Sequence, residues 1–98
     1  MKNLLVALLL LVPLPALADQ TVVQKGRRFN PAEVTIHRGE SLTFTNDDEF
    51  IHQVYAEGLF DSEEKAPGEN LTEAFAAPGT FEVRCHIHPK MKLIVHVK

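Results

Sequence analysis

The stretch Cys85-His86-Ile87-His88-Pro89-Lys90-Met91 holds the single cysteine of the chain, two of its five histidines and one of its two methionines. Thiolate, imidazole and thioether are donors that suit copper, and a cysteine with two histidines and a weak axial methionine makes an electron-transfer site. The stretch itself supplies Cys85, His88 and Met91, in the spacing Cys-x-x-His-x-x-Met. Such a gap is enough for one tight turn, so three side chains can converge on one point. Pro89 fixes a backbone angle and stiffens the turn. A second histidine has to come from elsewhere, and His52 is the best candidate. Such a site needs its loop anchored in rigid structure at both ends, and the flanking sequence decides whether that is met.

Before the loop, Phe81-Glu82-Val83-Arg84-Cys85 alternates, with Phe81, Val83 and Cys85 on one face. This is the pattern of a half-buried strand, and it points Cys85 inward from the strand end. After the loop, Leu93, Val95 and Val97 face inward against Lys92, His96 and Lys98. His96 then reads as an exposed strand residue, and Ile94 interrupts the alternation, covering an edge or a partner surface. Further out, Leu71–Phe75 alternates and Ala77-Pro78-Gly79-Thr80 is a turn signal. Phe50–Tyr55 reads as the next strand or strand entry, with His52 where loop meets strand. Ser41–Asn46 places Leu42 and Phe44 inward; Glu33–His37 places Val34 and Ile36 inward and His37 at the surface. Thr21–Gln24 begins a first strand, Lys25–Arg28 is a polar turn, and Pro31 blocks regular pairing after Phe29. Ala56–Asn70 is acidic, carries Gly58, Pro67 and Gly68, and reads as a loop crossing the domain edge. No segment shows a helical stripe. The expectation is an all-β fold, a small Greek-key β-sandwich of about six to eight strands.

The chain has 98 residues, enough for one small domain. Lys2, the apolar run Leu4–Val12, the breakers Pro13 and Pro15, and Ala16-Leu17-Ala18 together read as a secretory signal peptide over residues 1–18, cut after about Ala18. The apolar run is too short to span a bilayer. The domain is then residues 19–98, with no membrane segment in the mature form and a periplasmic location. A domain of that size often relies on a metal or disulfides. One cysteine cannot close an internal disulfide, and a lone thiol in an oxidising compartment is a liability unless buried or ligated. There are 13 Asp and Glu against 10 Lys and Arg, one of the latter in the leader. The acids crowd the middle, from Asp47 to Glu69, which argues against nucleic acid as a partner. Such a run suits a solvated face first and a basic protein partner second.

Zinc would accept Cys85 and the histidines, but a thioether is a poor zinc ligand. A nucleophilic Cys–His pair would leave Met91 idle, and nothing in the chain resembles an oxyanion-forming turn. A buried inert thiol is the remaining alternative.

The whole pattern resembles the plastocyanin-like cupredoxins, small exported proteins with one type 1 (blue) copper ion. The resemblance rests on Phe29-x-Pro31, Val34-x-Ile36-x-x-Gly39-Glu40, Leu42-x-Phe44-x-Asn46, Phe50-x-His52-x-Val54, Ala66-Pro67-Gly68-Glu69, Pro78-Gly79-Thr80-Phe81 and, most specifically, Cys85-x-x-His88-x-x-Met91. The short ligand loop is similar to that of the amicyanin branch. The resemblance implies a cupredoxin-like sandwich and a copper ion, Cu(I) or Cu(II), on His52, Cys85, His88 and Met91. It implies that Asn46 ties the two ligand-bearing loops together. It further implies a monomeric electron carrier, not an enzyme, that docks transiently on redox protein partners. The His88 edge would be its portal, with Ile51, Ile87 and Pro89 as an apolar collar. The alternative is a copper-binding protein for tolerance or delivery that uses the same site. His86 departs from the pattern. It is expected to turn away from copper, the sharper alternative being a second metal contact. Gln53 stands where plastocyanins often have Asn, and Ala56–Asn70 is shorter than in plastocyanins.

Overall fold

A computed structural model describes residues 19–98; the leader assigned to residues 1–18 lies outside the described residues. In chain order the strands are β1 (Asp19–Gln24), β2 (Phe29–Asn30), β3 (Glu33–Ile36), β4 (Ser41–Asn46), β5 (Tyr55–Ala56), β6 (Phe60–Asp61), β7 (Asn70–Ala74), β8 (Gly79–Arg84) and β9 (Lys92–Val97). They form two sheets, in the orders β2-β1-β4-β7 and β3-β9-β8-β5-β6. The chain passes repeatedly from one sheet to the other, as a sandwich requires. Among the described residues no helix is long and apolar enough to cross a membrane.

The alternation read in the sequence is the alternation of burial. On β4, Leu42, Phe44 and Asn46 are buried, and on β9 Leu93, Val95 and Val97. Successive strand side chains point to opposite faces, so each set of three faces the other sheet. Between the sheets the aromatic rings run in sequence, Phe29 to Phe44 at 6.2 Å, Phe44 to Phe60 at 6.4 Å and Phe60 to Phe75 at 5.8 Å between centroids. Ile94 takes an outward position on β9, half-buried, opposite Glu33 of β3 and Glu82 of β8.

Register places the candidate loop. β8 and β9 pair antiparallel from Gly79 opposite Val97 to Arg84 opposite Lys92. Residues 85–91 are therefore the connection at one end of that pair. β1 and β4 run parallel with Gln24 opposite Asn46, so both finish in buried polar residues. Gln24 Nε2 donates to the carbonyl of Gln53 at 3.4 Å, and the Gln53 N–H donates to Cys85 Sγ at 3.3 Å. The ends of β1, β4 and β8 thus meet at one end of the sandwich.

The turn from β1 to β2 lies at that same end. Lys25 and Arg28 exchange backbone hydrogen bonds, 3.0 and 3.1 Å, around Gly26 (φ 62°) and Arg27 (φ 55°). Positive φ at both central residues is the two-residue hairpin turn whose twist matches the flanking strands. Arg27 sits there in a conformation that non-glycine residues seldom adopt.

Phe50–Tyr55 is a strand entry, since strand pairing covers only Tyr55–Ala56, with His52 in an isolated bridge to Lys65. The burial still alternates, with His52, Val54 and Ala56 inward. What is missing is a neighbouring strand of matching length: Val54 N–H bonds to the Ser62 hydroxyl at 2.9 Å in place of a backbone carbonyl. For the same reason Ala56–Asn70 is not all loop, since it contains β6 and the Lys65 bridge. These two-residue pieces bring the strands among the described residues to nine, above the expected range.

Candidate metal centre

Cys85 closes β8, and its side chain is 1% exposed. His52 arrives from the opposite side and is completely buried. Two backbone bonds to Lys65 fix it, His52 N–H to Lys65 O at 3.0 Å and Lys65 N–H to His52 O at 2.7 Å. His88 follows Cys85 around the loop and is half-buried. The Met91 N–H donates to His88 O at 3.0 Å, which closes the turn and leaves Met91 buried.

The three donor atoms form a triangle. Cys85 Sγ lies 3.9 Å from His52 Nδ1 and 3.9 Å from His88 Nδ1, and the two Nδ1 atoms are 3.1 Å apart. An ion bonded in a trigonal set at about 2.0 Å to nitrogen and 2.3 Å to sulfur needs edges of roughly 3.5 Å (N–N) and 3.7 Å (N–S). The triangle therefore has the size of a metal site. Among the described residues this is the group of His, Cys, Asp and Glu side chains arranged to hold an ion. A thiolate with two imidazoles, and a buried thioether lining the same groove as His88, fits one copper ion.

Electrostatics prepares the triangle. His52 Nε2 donates to Asp48 Oδ2 at 2.9 Å, and the Asp48 side chain is almost wholly buried. A carboxylate on the far nitrogen holds the tautomer whose Nδ1 lone pair faces the cysteine. Asp48 also accepts the N–H groups of Arg27 at 2.8 Å and Glu49 at 3.0 Å. Burial opposes its ionisation, but these donors outweigh it and hold the carboxyl well below the usual range. His88 is pushed the other way, toward neutrality. Its pKa is lowered from 6.5, first by burial and then by the neighbouring His52 and Arg27, with Asp48 opposing. Metal binding requires the neutral imidazole. The His88 ring of the metal-free protein should therefore stay neutral down to a pH below 6.5, which an NMR titration of its ring protons would read, and a midpoint above 6.5 would contradict this.

Sequence reasoning missed several supports. Asp48 read as one charge in an acidic loop, and only its i to i+4 offset from His52 hinted otherwise. The Arg84 guanidinium donates to Pro89 O at 2.9 Å and bonds Glu82, which clamps the loop from the strand before it. Phe50 meets His88 edge-on, with ring centroids 6.0 Å apart. The expected collar residues Ile51 and Ile87 are exposed, and Phe50 joins them. Asn46 behaves differently from its expected role. Its Nδ2 donates to Phe50 O and to Lys65 O, each at 2.8 Å, and its Oδ1 accepts from Asp48 N–H at 3.0 Å. All three partners lie on the His52 side, so Asn46 organises one ligand segment, and Gln53 makes the link to Cys85.

His86 takes no part in the triangle. It stacks on Tyr55 at 3.7 Å with an interplanar angle of 4°, and its Nε2 lies 3.2 Å from both Asp61 carboxylate oxygens. His37 is exposed, and His96 spans Thr80 and Glu33 on the outer face of its sheet.

Comparison with known proteins agrees with this geometry. The family profile described as "Cupredoxin-like domain" matches residues 3–95. No curated protein matches. Among solved structures, the chain is similar to a purple cupredoxin from Nitrosopumilus maritimus, with 22% identity and a TM-score of 0.77 over 82% of this chain and 100% of that one. It is similar to a mutant of amicyanin in its Cu(I) form, with 19% identity and a TM-score of 0.77 over 86% of each chain. It also matches the Cu-containing nitrite reductase NirK from Thermus scotoductus SA-01, with 29% identity and a TM-score of 0.73 over 90% of this chain but only 23% of that one. A two-sheet sandwich, a histidine–cysteine–histidine triangle at its end and a profile spanning nearly the whole sequence lead to one assignment: this chain belongs to the cupredoxin-like domain family.

Proposed function

We propose that the protein is an exported, periplasmic one-electron carrier, with His52, Cys85, His88 and Met91 as copper ligands. Copper, when bound, supplies the Cu(I)/Cu(II) couple. The observation that carries the proposal is the buried triangle of His52 Nδ1, Cys85 Sγ and His88 Nδ1, with its His88 corner reaching a surface groove. The strands and the His52–Lys65 bonds fix two corners, and the Arg84 clamp steadies the loop that carries the third. A site whose ligands cannot move reorganises little when one electron is gained or lost. His52 and Cys85 are closed to solvent, which leaves no room for a substrate at those corners and favours transfer over bond chemistry.

Adding Cu(II) to the reduced, metal-free protein should produce an intense visible band from thiolate-to-copper charge transfer, and electrochemistry should show reversible cycling. A colourless product would sink the proposal. Met91→Leu should keep copper, because the triangle is intact. Loss of a thioether donor disfavours Cu(II) more than Cu(I), so the potential should rise by about 59 mV for each tenfold change in their relative affinity. The copper-delivery alternative would use His86 for capture, but Tyr55 and Asp61 already engage that ring. His86→Ala should therefore leave the visible spectrum and the copper affinity unchanged.

A further inference from the structure

The chain carries more acid than base, 13 residues to 10, yet the mouth of the candidate centre is cationic. The groove over His88 encloses about 460 Å³, with Ile87 and Pro89 on its walls and Arg27, Arg28 and Lys90 around it. An adjoining groove shares these three cations and adds Lys92. No carboxylate lines either groove. Asp48 is turned inward onto His52 and the Arg27 backbone, while Glu57 and Asp61 line a separate groove with Tyr55 and His86.

Arg27 is held in position. It occupies the tip of the β1–β2 hairpin at φ 55°. Its N–H is bound by Asp48, and its guanidinium lies 4.0 Å from the centroid of the Phe50 ring, which in turn rests against His88. The hairpin thus carries a positive charge onto the rim of the apolar collar.

We propose that this groove is the docking surface for a redox protein that presents carboxylates around the exposed edge of its own cofactor. The proposal rests on the electron-carrier reading and names the chemistry of the partner. Ile87, Pro89 and the exposed ring of Phe50 supply a small apolar contact, while the four cations steer the encounter and set its orientation. Of the acidic middle of the chain, which by itself suits a basic partner, no carboxylate lines these two grooves, and Glu57 and Asp61 line a separate one.

Two paramagnetic probes test the surface without electron transfer. On the reduced, diamagnetic protein, hexacyanochromate(III) should broaden the amide signals of Arg27, Arg28, Ile87, His88 and Lys90. Hexaamminechromium(III) should broaden those of Glu57 and Asp61. Hexacyanoferrate(III) then tests the consequence for rate: it takes one electron from the reduced copper site and becomes hexacyanoferrate(II). That rate should fall about tenfold as ionic strength rises from 0.01 to 0.3 M. R27E/R28E/K90E should reverse the salt dependence with the visible band retained, and R27Q/R28Q/K90Q should flatten it if the charge reversal proves unstable. Broadening by the anion elsewhere on the surface would overturn the proposal, as would an oxidation rate that rises with salt, as the overall negative charge alone would dictate. A protein that binds the anion at the groove but does not cycle copper keeps the surface and loses the electron-carrier reading.

Discussion

Cys85→Ser is expected to fold, to take up copper weakly and to give no visible band. Cys85 provides the sulfur corner of the triangle and its one anionic donor. A metal deprotonates a thiol outright, whereas a serine hydroxyl is far less acidic and its oxygen sits closer to the backbone. The variant site would be two imidazoles and a thioether, with nothing to offset the charge of Cu(II). Removing a group that merely supports a ligand costs about 10–100-fold in metal affinity, so losing the anionic ligand itself should cost more. The fold should survive, because serine is smaller than cysteine and the Gln53 N–H that donates to Sγ can donate to a hydroxyl. Visible absorption during Cu(II) titration reads the first effect, and competition with a chelator reads the second. A coloured Cys85→Ser protein would exclude Cys85 as the donor responsible for the band.

Asp48→Asn should have the next largest effect, although Asp48 is not itself a ligand. Its carboxylate accepts hydrogen bonds from His52 Nε2–H and from the N–H groups of Arg27 and Glu49. An amide has nearly the same shape but one oxygen where three donors converge, and it carries no charge. Copper affinity should fall by about 10–100-fold. The potential should rise, because a negative charge removed from behind His52 had favoured Cu(II) over Cu(I). The substitution also has a pH signature in the metal-free protein. The folded state holds the Asp48 carboxyl well below its ordinary value of 3.8. Its contribution to stability is therefore fully present above that value and is lost as pH falls through the folded-state pKa. Thermal melts should show Asp48→Asn less stable than the parent at pH 7, with the gap narrowing below pH 4. A constant gap would mean that the ionised carboxylate is not what stabilises this corner.

The parts that were legible in the sequence are those set by local pattern. Cys85, His88 and Met91 could be read together because they share one turn. The inward faces of β4, β8 and β9 could be read because their alternation runs over five or six residues. Over Phe50–Tyr55 the pattern leaves strand and strand entry open, because alternation reports which side chains are buried, not whether a second strand lies alongside. β6 left no trace, since two residues cannot show a period. Asp48 and Arg27 were hidden by a different cause. One sits in a run of acids and the other in a polar turn, and both acquire their roles only when β1 and β4 finish side by side. Asn46 shows the limit of resemblance, which named the residue correctly and its partners only in part.

The pairing of β3 with β9 sets an order in time. Glu33–Ile36 lies alongside Ile94–Val97, and β1 lies alongside β4 in the same parallel sense. Contacts this distant in sequence form late and slowly, because a long loop must close before they are rewarded. The ligand loop lies between β8 and β9, so its second anchor exists only once β9 has docked. Until then His88 and Met91 have no fixed place relative to His52 and Cys85, and a metal ion meeting the chain would find flexible donors there. Selection among metals is thus expected only of the finished sandwich: metal offered during refolding should be bound less selectively than metal offered afterwards.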